Sequence, residues 1–254
     1  MKGFFTDQIC NAIRKCKFNC IKDLCRKEYF NDRKLIFQDN FLNLDNWNVA
    51  DNVPYDNTEV WFIKEALNLI EGGLMIMCWK QYGQHTMPDG RVFIHQWISG
   101  RIDTRHKHEF SNGVWVIRAK AVDSFFAAWL LKNDRQEPGY TRSQIIPEVD
   151  IAENINGEVR HTVHYGYQEE PKYTRISIGS SIFKADDEFH DFAVEMLDNG
   201  YRFYVDGILT AEFKSKDPEF VTNVPSYLIL NNASKEGFES SITYFIIQSV
   251  KFYQ

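Results

Sequence analysis

The sequence predicts an all-β protein, a jelly-roll sandwich of two antiparallel sheets, on three observations. Short runs rich in Val, Ile, Phe, Tyr and Trp recur along the chain, divided by Gly, Asn, Asp and Pro. That spacing is the pattern of a sandwich or jelly roll. Asp198-Asn199-Gly200 and Asp206-Gly207 each stand between two such runs, and these residues tolerate the positive φ that tight hairpins demand. Aromatic residues make up 15% of the 254 positions; flat, bulky side chains suit a pleated, half-buried surface. A chain of this length fits one sandwich with a large buried core.

Taken in order, residues 1–35 stand apart. They carry nine Lys or Arg against four acids, so the remainder of the chain is strongly acidic. Ile9, Ile13, Cys16, Cys20 and Leu24 recur every three or four positions, which predicts a short helix with a basic opposite face. Two readings stay open: a docking segment for a partner protein or anionic surface, and a solvated extension packed loosely on the domain. From residue 36 to 254 the strand pattern takes over. Strands are predicted around residues 73–80, 113–121, 189–197, 201–205 and 227–231, while residues 56–71 are ambiguous, with a helical turn an option at 64–70.

Composition narrows the function. A net charge of −6 argues against nucleic acid, whose recognition needs clustered Lys and Arg. No stretch reaches the length of a membrane span. The apolar run after Met1-Lys2 is broken by Asp7, so no signal peptide is expected and the compartment stays open. Five cysteines (Cys10, Cys16, Cys20, Cys25, Cys78) lack a C-x-x-C pair, so no zinc site is expected.

One segment carries chemistry: PEVDIAE at residues 147–153. Glu148, Asp150 and Glu153 alternate with Val149, Ile151 and Ala152. In a regular strand Glu148 and Asp150 share one face and Glu153 points the other way. A single bulge between Asp150 and Glu153 restores the parity. Three carboxylates on one concave face repel one another and raise one another's pKa. That is a poor structural choice, but it suits a retaining glycosidase, in which two carboxyls about 5–5.5 Å apart serve as nucleophile and acid/base. The alternative is a charged edge strand.

Glu-x-Asp-x-x-Glu, as it stands here, resembles the bulged catalytic motif of glycoside hydrolase family 16, whose members include laminarinases, agarases, porphyranases and carrageenases. The resemblance extends over residues 36–254 in order: FQDNF at 37–41 and LDNW at 44–47, SGRIDT at 99–104, FSNG at 110–113, RAK at 118–120, AAWLL at 127–131, HTVHYG at 161–166, FHDF at 189–192, FYVDG at 203–207, LILN at 228–231 and VKFYQ at 250–254. It implies a concanavalin A-like jelly roll, Glu148 as nucleophile, Glu153 as acid/base and Asp150 as the carboxylate between them. It places Trp129, His164 and Asn231 against the sugar. Trp97, Trp115 and Tyr167 are further cleft candidates, no different in sequence from core rings. The chain departs from the family pattern at Pro147, in lacking a Trp-Pro pair upstream of the motif, and in a polar loop at 133–146. Gln248 stands where the family carries an Asp for structural calcium, so a calcium ion is only weakly expected and no other cofactor or catalytic metal is.

The expectation is therefore a retaining endo-hydrolase of a β-linked glucan or galactan, with the polysaccharide as its partner and a protein partner open for residues 1–35. Arg101, Arg105, Arg135 and Arg142 could make the cleft basic enough for sulfated galactans. The alternatives are a lectin-like module without catalysis, and a particle-associated docking or glycan-degrading protein.

Overall fold

The computed structural model describes residues 30, 32–55, 59–122, 125–132, 144–155, 158–169, 172–184, 187–216, 225–233 and 241–254. The helix expected between Ile9 and Leu24, four of the five cysteines and residues 133–143 of the polar loop lie outside them. Nineteen strands are described: β1 (Leu35–Asp39), β2 (Asn48–Val49), β3 (Val53–Tyr55), β4 (Val60–Phe62), β5 (Leu67–Ile70), β6 (Gly73–Thr86), β7 (Val92–Ser99), β8 (Arg101–Asp103), β9 (Glu109–Phe110) and β10 (Gly113–Val122). They continue with β11 (Phe125–Lys132), β12 (Gln144–Ile155), β13 (Glu158–Glu169), β14 (Lys172–Lys184), β15 (His190–Leu197), β16 (Gly200–Val205), β17 (Ile208–Lys214), β18 (Ser226–Ala233) and β19 (Ile242–Tyr253). The ambiguous stretch resolves into a single 3-10 turn, Lys64–Ala66, followed by β5. No helix among the described residues is long and apolar enough to cross a membrane.

The strands form the two sheets of a jelly-roll sandwich. One runs β17-β16-β15-β10-β19-β6-β7-β4-β3, with β1 on β19 and β5 on β6. The other runs β14-β13-β12-β11-β18-β8-β2, with β9 on β18. Pairing is antiparallel except between β4 and β7, where Val60 aligns with Trp97 in parallel. Both turn signals close hairpins, β15–β16 at Asp198-Asn199 and β16–β17 at Asp206-Gly207. At the second, Asp206 takes φ +51°. Its carboxylate accepts the Asp191 N–H at 3.0 Å and meets His190 Nδ1 at 2.8 Å.

Alternation sorts each strand into a core face and an outer face. On β19 the buried residues are Thr243, Phe245 and Ile247, then Val250 and Phe252. The parity changes at Gln248, which bulges out of the ladder with β10. Leu74, Ile76, Trp115, Phe203, Phe245 and Phe252 of one sheet close on Ile102, Leu130, Val149, Ile151, Val163 and Leu230 of the other. Trp115 is wholly buried, with Phe252 at 5.1 Å and Phe110 at 5.4 Å between ring centroids. It is thus a core ring and not a cleft one. Trp115→Ala should cost about 3–5 kcal/mol, read as a lower urea midpoint, because the cavity between two rigid sheets cannot collapse.

Residues just ahead of β1 are already packed on the sandwich. Phe30 stacks on Tyr253 at 5.5 Å and meets Tyr204 edge-on. Arg33 pairs with the buried Glu195. Lys34 and Gln254 exchange backbone hydrogen bonds of 2.9 Å. The last residues of the expected extension are therefore seated against the sheets.

Candidate active site

Strand β12 lies inside its sheet, flanked by β11 and β13. Against β13, Asp150 pairs with Thr162 and Glu153 with Arg160, so three steps on β12 face two on β13. Against β11, Trp129 pairs with Asp150 and Ala128 with Ala152. The extra residue is Ile151, and the bulge sits in the interval that sequence parity requires. Val149, Ile151 and Ala152 all enter the hydrophobic core. Glu148, Asp150 and Glu153 keep the opposite face.

A bulge frees a carbonyl from the ladder, and a buried carbonyl needs a donor. Here His161 supplies it. Its ring, fully buried on β13, places Nδ1 2.5 Å from the Ile151 carbonyl and Nε2 2.8 Å from the Thr210 hydroxyl. The ring also stacks on Phe203 at 4.6 Å. Burial pushes the imidazole down to about 3, against a smaller opposing effect of the Ile151 carbonyl. His161 is thus neutral when folded but gains a proton when unfolded below about pH 6.5. Stability should be undiminished above that pH and fall toward pH 3, by at most about 1.4 kcal/mol per pH unit from this group. Denaturant unfolding at pH 7 and pH 4.5 checks this: the fall in stability between the two should be shallower in His161→Asn.

Register across the sheet sets the site in ranks. Directly paired residues of antiparallel strands share a face. Arg160, Glu153, Ala127, Asn231 and Arg101 form one rank from β13 through β12, β11 and β18 to β8. Thr162, Asp150, Trp129, Ile229, Asp103 and Asn48 form the next, ending on β2. In a third rank His164 pairs with Glu148.

Within this face the expected residues meet. His164 Nε2 lies 3.1 Å from Asp150 and 3.9 Å from Glu148, so the imidazole sits against Asp150 and beside Glu148. Asp150 is 2% exposed; a carboxylate so buried is held by its charged and hydrogen-bonding neighbours. The ligand atoms of Glu148, Asp150 and His164 lie within 4.8 Å of one another, close enough to hold a cation. Trp129 Nε1 donates to Asn231 Oδ1 at 3.0 Å, which fixes the indole on the floor. Asn231 itself is buried, and its Nδ2 has no hydrogen-bond partner among the described residues. Arg101 places its guanidinium 5.8 Å over the Trp129 ring.

Tyr55, at the end of β3 in the other sheet, is a residue that sequence reasoning missed. Its ring stacks on Phe62 at 5.3 Å. Its hydroxyl is pushed up to about 12, first by burial, then by the negative charge of Glu148, with Arg101 opposing and Glu153 and Asp150 adding to the rise. Tyr55 therefore borders the carboxylates and stays a proton donor at working pH. No local pattern marks it, because a strand edge from the opposite sheet brings it there. Of the other ring candidates, Trp97 is buried beside Val60, Phe62 and Cys78, with Tyr55 packed on that cluster. The side chain of Tyr167 lies outside the described residues, as do Arg135 and Arg142. Cys78 is a buried thiol pushed up to about 12 by burial, and so inert.

The residues around Gln248 do not fit a calcium ion. Gln248 Oε1 accepts from Arg118 Nε at 2.8 Å, and the same guanidinium pairs with Asp191 at 3.2 Å. A cation already stands there, and a neutral carboxamide adds no charge to hold a second.

Comparison with known proteins bears on the fold and the family. The profile described as "Glycosyl hydrolases family 16" matches residues 75–234, which include all six candidate residues. The fold is similar to the laminarinase catalytic domain of Thermotoga maritima, with a TM-score of 0.67 and 23% identity over 87% of this chain and 98% of that one. It is similar to the laminarinase of Rhodothermus marinus, with a TM-score of 0.70 and 22% identity over 87% and 97%. It also resembles the kappa-carrageenase of Pseudoalteromonas carrageenovora, with a TM-score of 0.66 and 16% identity over 88% and 96%. No curated protein sequence matches significantly. With the profile spanning well over half the chain and the sandwich shared, the protein belongs to glycoside hydrolase family 16.

Proposed function

We propose that the protein is a retaining, endo-acting hydrolase of a β-linked polysaccharide, with Glu148 as nucleophile and Glu153 as acid/base. The observation that carries this reading is the bulge at Ile151, which sets Glu148, Asp150 and Glu153 on one face of a central strand. Glu148 attacks the anomeric carbon while the glycosidic C–O bond breaks, and Glu153 gives its proton to the departing oxygen. Glu153, now a carboxylate, takes a proton from water. The water oxygen displaces Glu148 from the glycosyl-enzyme, and both groups return to their starting states. Asp150 and the His164 ring beside it border Glu148 and tune the nucleophile. Trp129 offers an indole for a sugar ring to stack on, and Asn231 holds that indole in place.

The endo mode is supported by the ranks, which run across strands from β13 to β8 and so offer binding positions on both sides of the carboxylates. Laminarinases and a carrageenase among the structural neighbours keep both β-glucan and β-galactan open as substrates. The test is release of reducing ends from laminarin, mixed-linkage glucan, agarose, porphyran and carrageenan, with Glu148→Gln in parallel. Oligosaccharides from the wild type alone support the reading. Binding without release from any of these would favour a lectin-like role instead. The extension at 1–35 remains a proposed docking segment; because Phe30, Arg33 and Lys34 pack on the sheets, its test is deletion of residues 1–29, which should leave turnover of soluble glycan intact while attachment to a partner is lost.

A further inference from the structure

We propose that residues 1–29 fold back as an amphipathic helix over an apolar patch on the outer face of the first sheet, across the core from the carboxylates. The patch and the catalytic face belong to different sheets, so this docking stands or falls apart from the catalytic reading.

The patch is drawn by alternation. Leu74, Ile76 and Cys78 of β6, and Phe245 and Ile247 of β19, are buried between the sheets. Met75, Met77 and Trp79, with Tyr244 and Ile246, therefore project outward, and each is partly exposed. Met75 pairs directly with Ile246, and Met77 with Tyr244. The outer face of an antiparallel sheet is ordinarily polar, because water covers it. Here two neighbouring strands present five large apolar side chains together, a surface that calls for a cover.

The chain ahead of β1 already runs over this face. Val114, Ala193 and Tyr204 adjoin the core residues Trp115, Val194 and Phe203 and so point outward as well, yet all three are buried. Phe30 packs on them, against Tyr204 and Tyr253. Arg33 pairs with Glu195 on the same face, and the Tyr204 hydroxyl donates to Glu195 Oε2 at 2.7 Å. The polypeptide thus enters the domain across the outer face, and residues 1–29 are tethered there.

Their sequence supplies the matching surface. Ile9, Ile13, Cys16, Cys20 and Leu24 recur at the spacing of one helix face, in a segment rich in Lys and Arg. Reach is sufficient. The link from Leu24 to Phe30 spans up to about 20 Å, and a helix from Ile9 to Leu24 adds about 24 Å. Tyr253, beside Phe30, stands about 23 Å from Ile246 along β19. Tethering gives the segment an effective concentration of about millimolar at the patch, which a second copy or a free partner does not match. Docked this way, the helix covers Cys16 and Cys20 and turns its Lys and Arg to solvent.

Peroxide oxidation of methionine in the full-length protein, followed peptide by peptide, reads the cover directly. Ile13→Asp puts a charge into the apolar stripe. Met75 and Met77 should then oxidise about 10- to 100-fold faster, the scale of losing one buried Ile from the docked face. Met87, in the turn between β6 and β7, should keep its rate, and Met196 in the core stays slow while the variant is folded. Equal rates at Met75 and Met77 in the folded variant would overturn the proposal. A second variant decides the matter whether or not the first one folds. Met77→Cys, oxidised in dilute solution, should form a disulfide with Cys16 or Cys20 of the same chain. A link between two chains assigns the patch to a second copy and overturns the proposal, as does the absence of any link. Hydrolysis enters neither readout.

Discussion

Glu148→Gln should yield a folded protein whose kcat on its polysaccharide falls on the order of 10⁴-fold or more, the scale seen when a covalent nucleophile is removed. The amide cannot attack the anomeric carbon. His164 would keep its 3.1 Å contact with Asp150, so the fold and sugar binding should survive. A more discriminating form of the experiment uses Glu148→Gly with azide. Azide entering the vacated space would attack the same face of the sugar and, with no second displacement, give a product of inverted anomeric configuration. An azide-independent residual rate, or a retained anomer, would remove Glu148 from the nucleophile role.

Glu153→Gln should show a different signature. An acid/base is needed most when the leaving group is a poor one, so turnover of polysaccharide should fall by about 10²–10⁴-fold. Formation of the glycosyl-enzyme from an aryl glycoside with an acidic phenol should be far less affected, because that oxygen leaves without a proton. The pH profile of the same step should lose its alkaline limb, since the general acid is active only while protonated, and keep its acidic limb, since the nucleophile must be ionised. Equal losses on both substrates would assign Glu153 to binding. The paired profiles of wild type and variant, measured by rapid-quench burst with the aryl substrate, decide the matter.

Much of this site was legible before any coordinates. Glu148, Asp150 and Glu153 announce the bulge through parity alone: three acids share a face only if one extra residue enters the strand, and Ile151 is that residue. The hairpin at Asp206-Gly207 was readable because positive φ leaves few residue choices, and the one at Asp198-Asn199 because the same turn-forming residue types stand between two apolar runs. What escaped notice depends on partners distant in sequence. His161 stands inside a recognisable string, yet its task of capping the Ile151 carbonyl exists only once the bulge exists. Tyr55 reaches the carboxylates from the opposite sheet. The parallel pairing of β4 with β7 joins strands separated by a long excursion, and no local periodicity encodes it. Trp115 and Trp129 look alike in sequence, each in an apolar run. Strand register sends one into the core and the other onto the face that carries Asp150.

The rank arrangement makes distance from the reacting bond come in fixed steps. Each strand crossed adds about 4.8 Å, so Arg160 stands one step from Glu153, while Arg101 stands three steps away on the other side, about 14 Å. The residues beneath these positions, Leu230 and Ile102 among them, belong to the core and are untouched by exchanges above. Selection acting on such a floor can retune it strand by strand. On the proposed reading, a substitution on β8 should change which glycan is gripped and leave the bond-breaking step as it was, whereas one on β13 should alter both at once. Divergence among relatives of this protein should therefore run in columns along single strands, fast at the rim and slow beside the carboxylates.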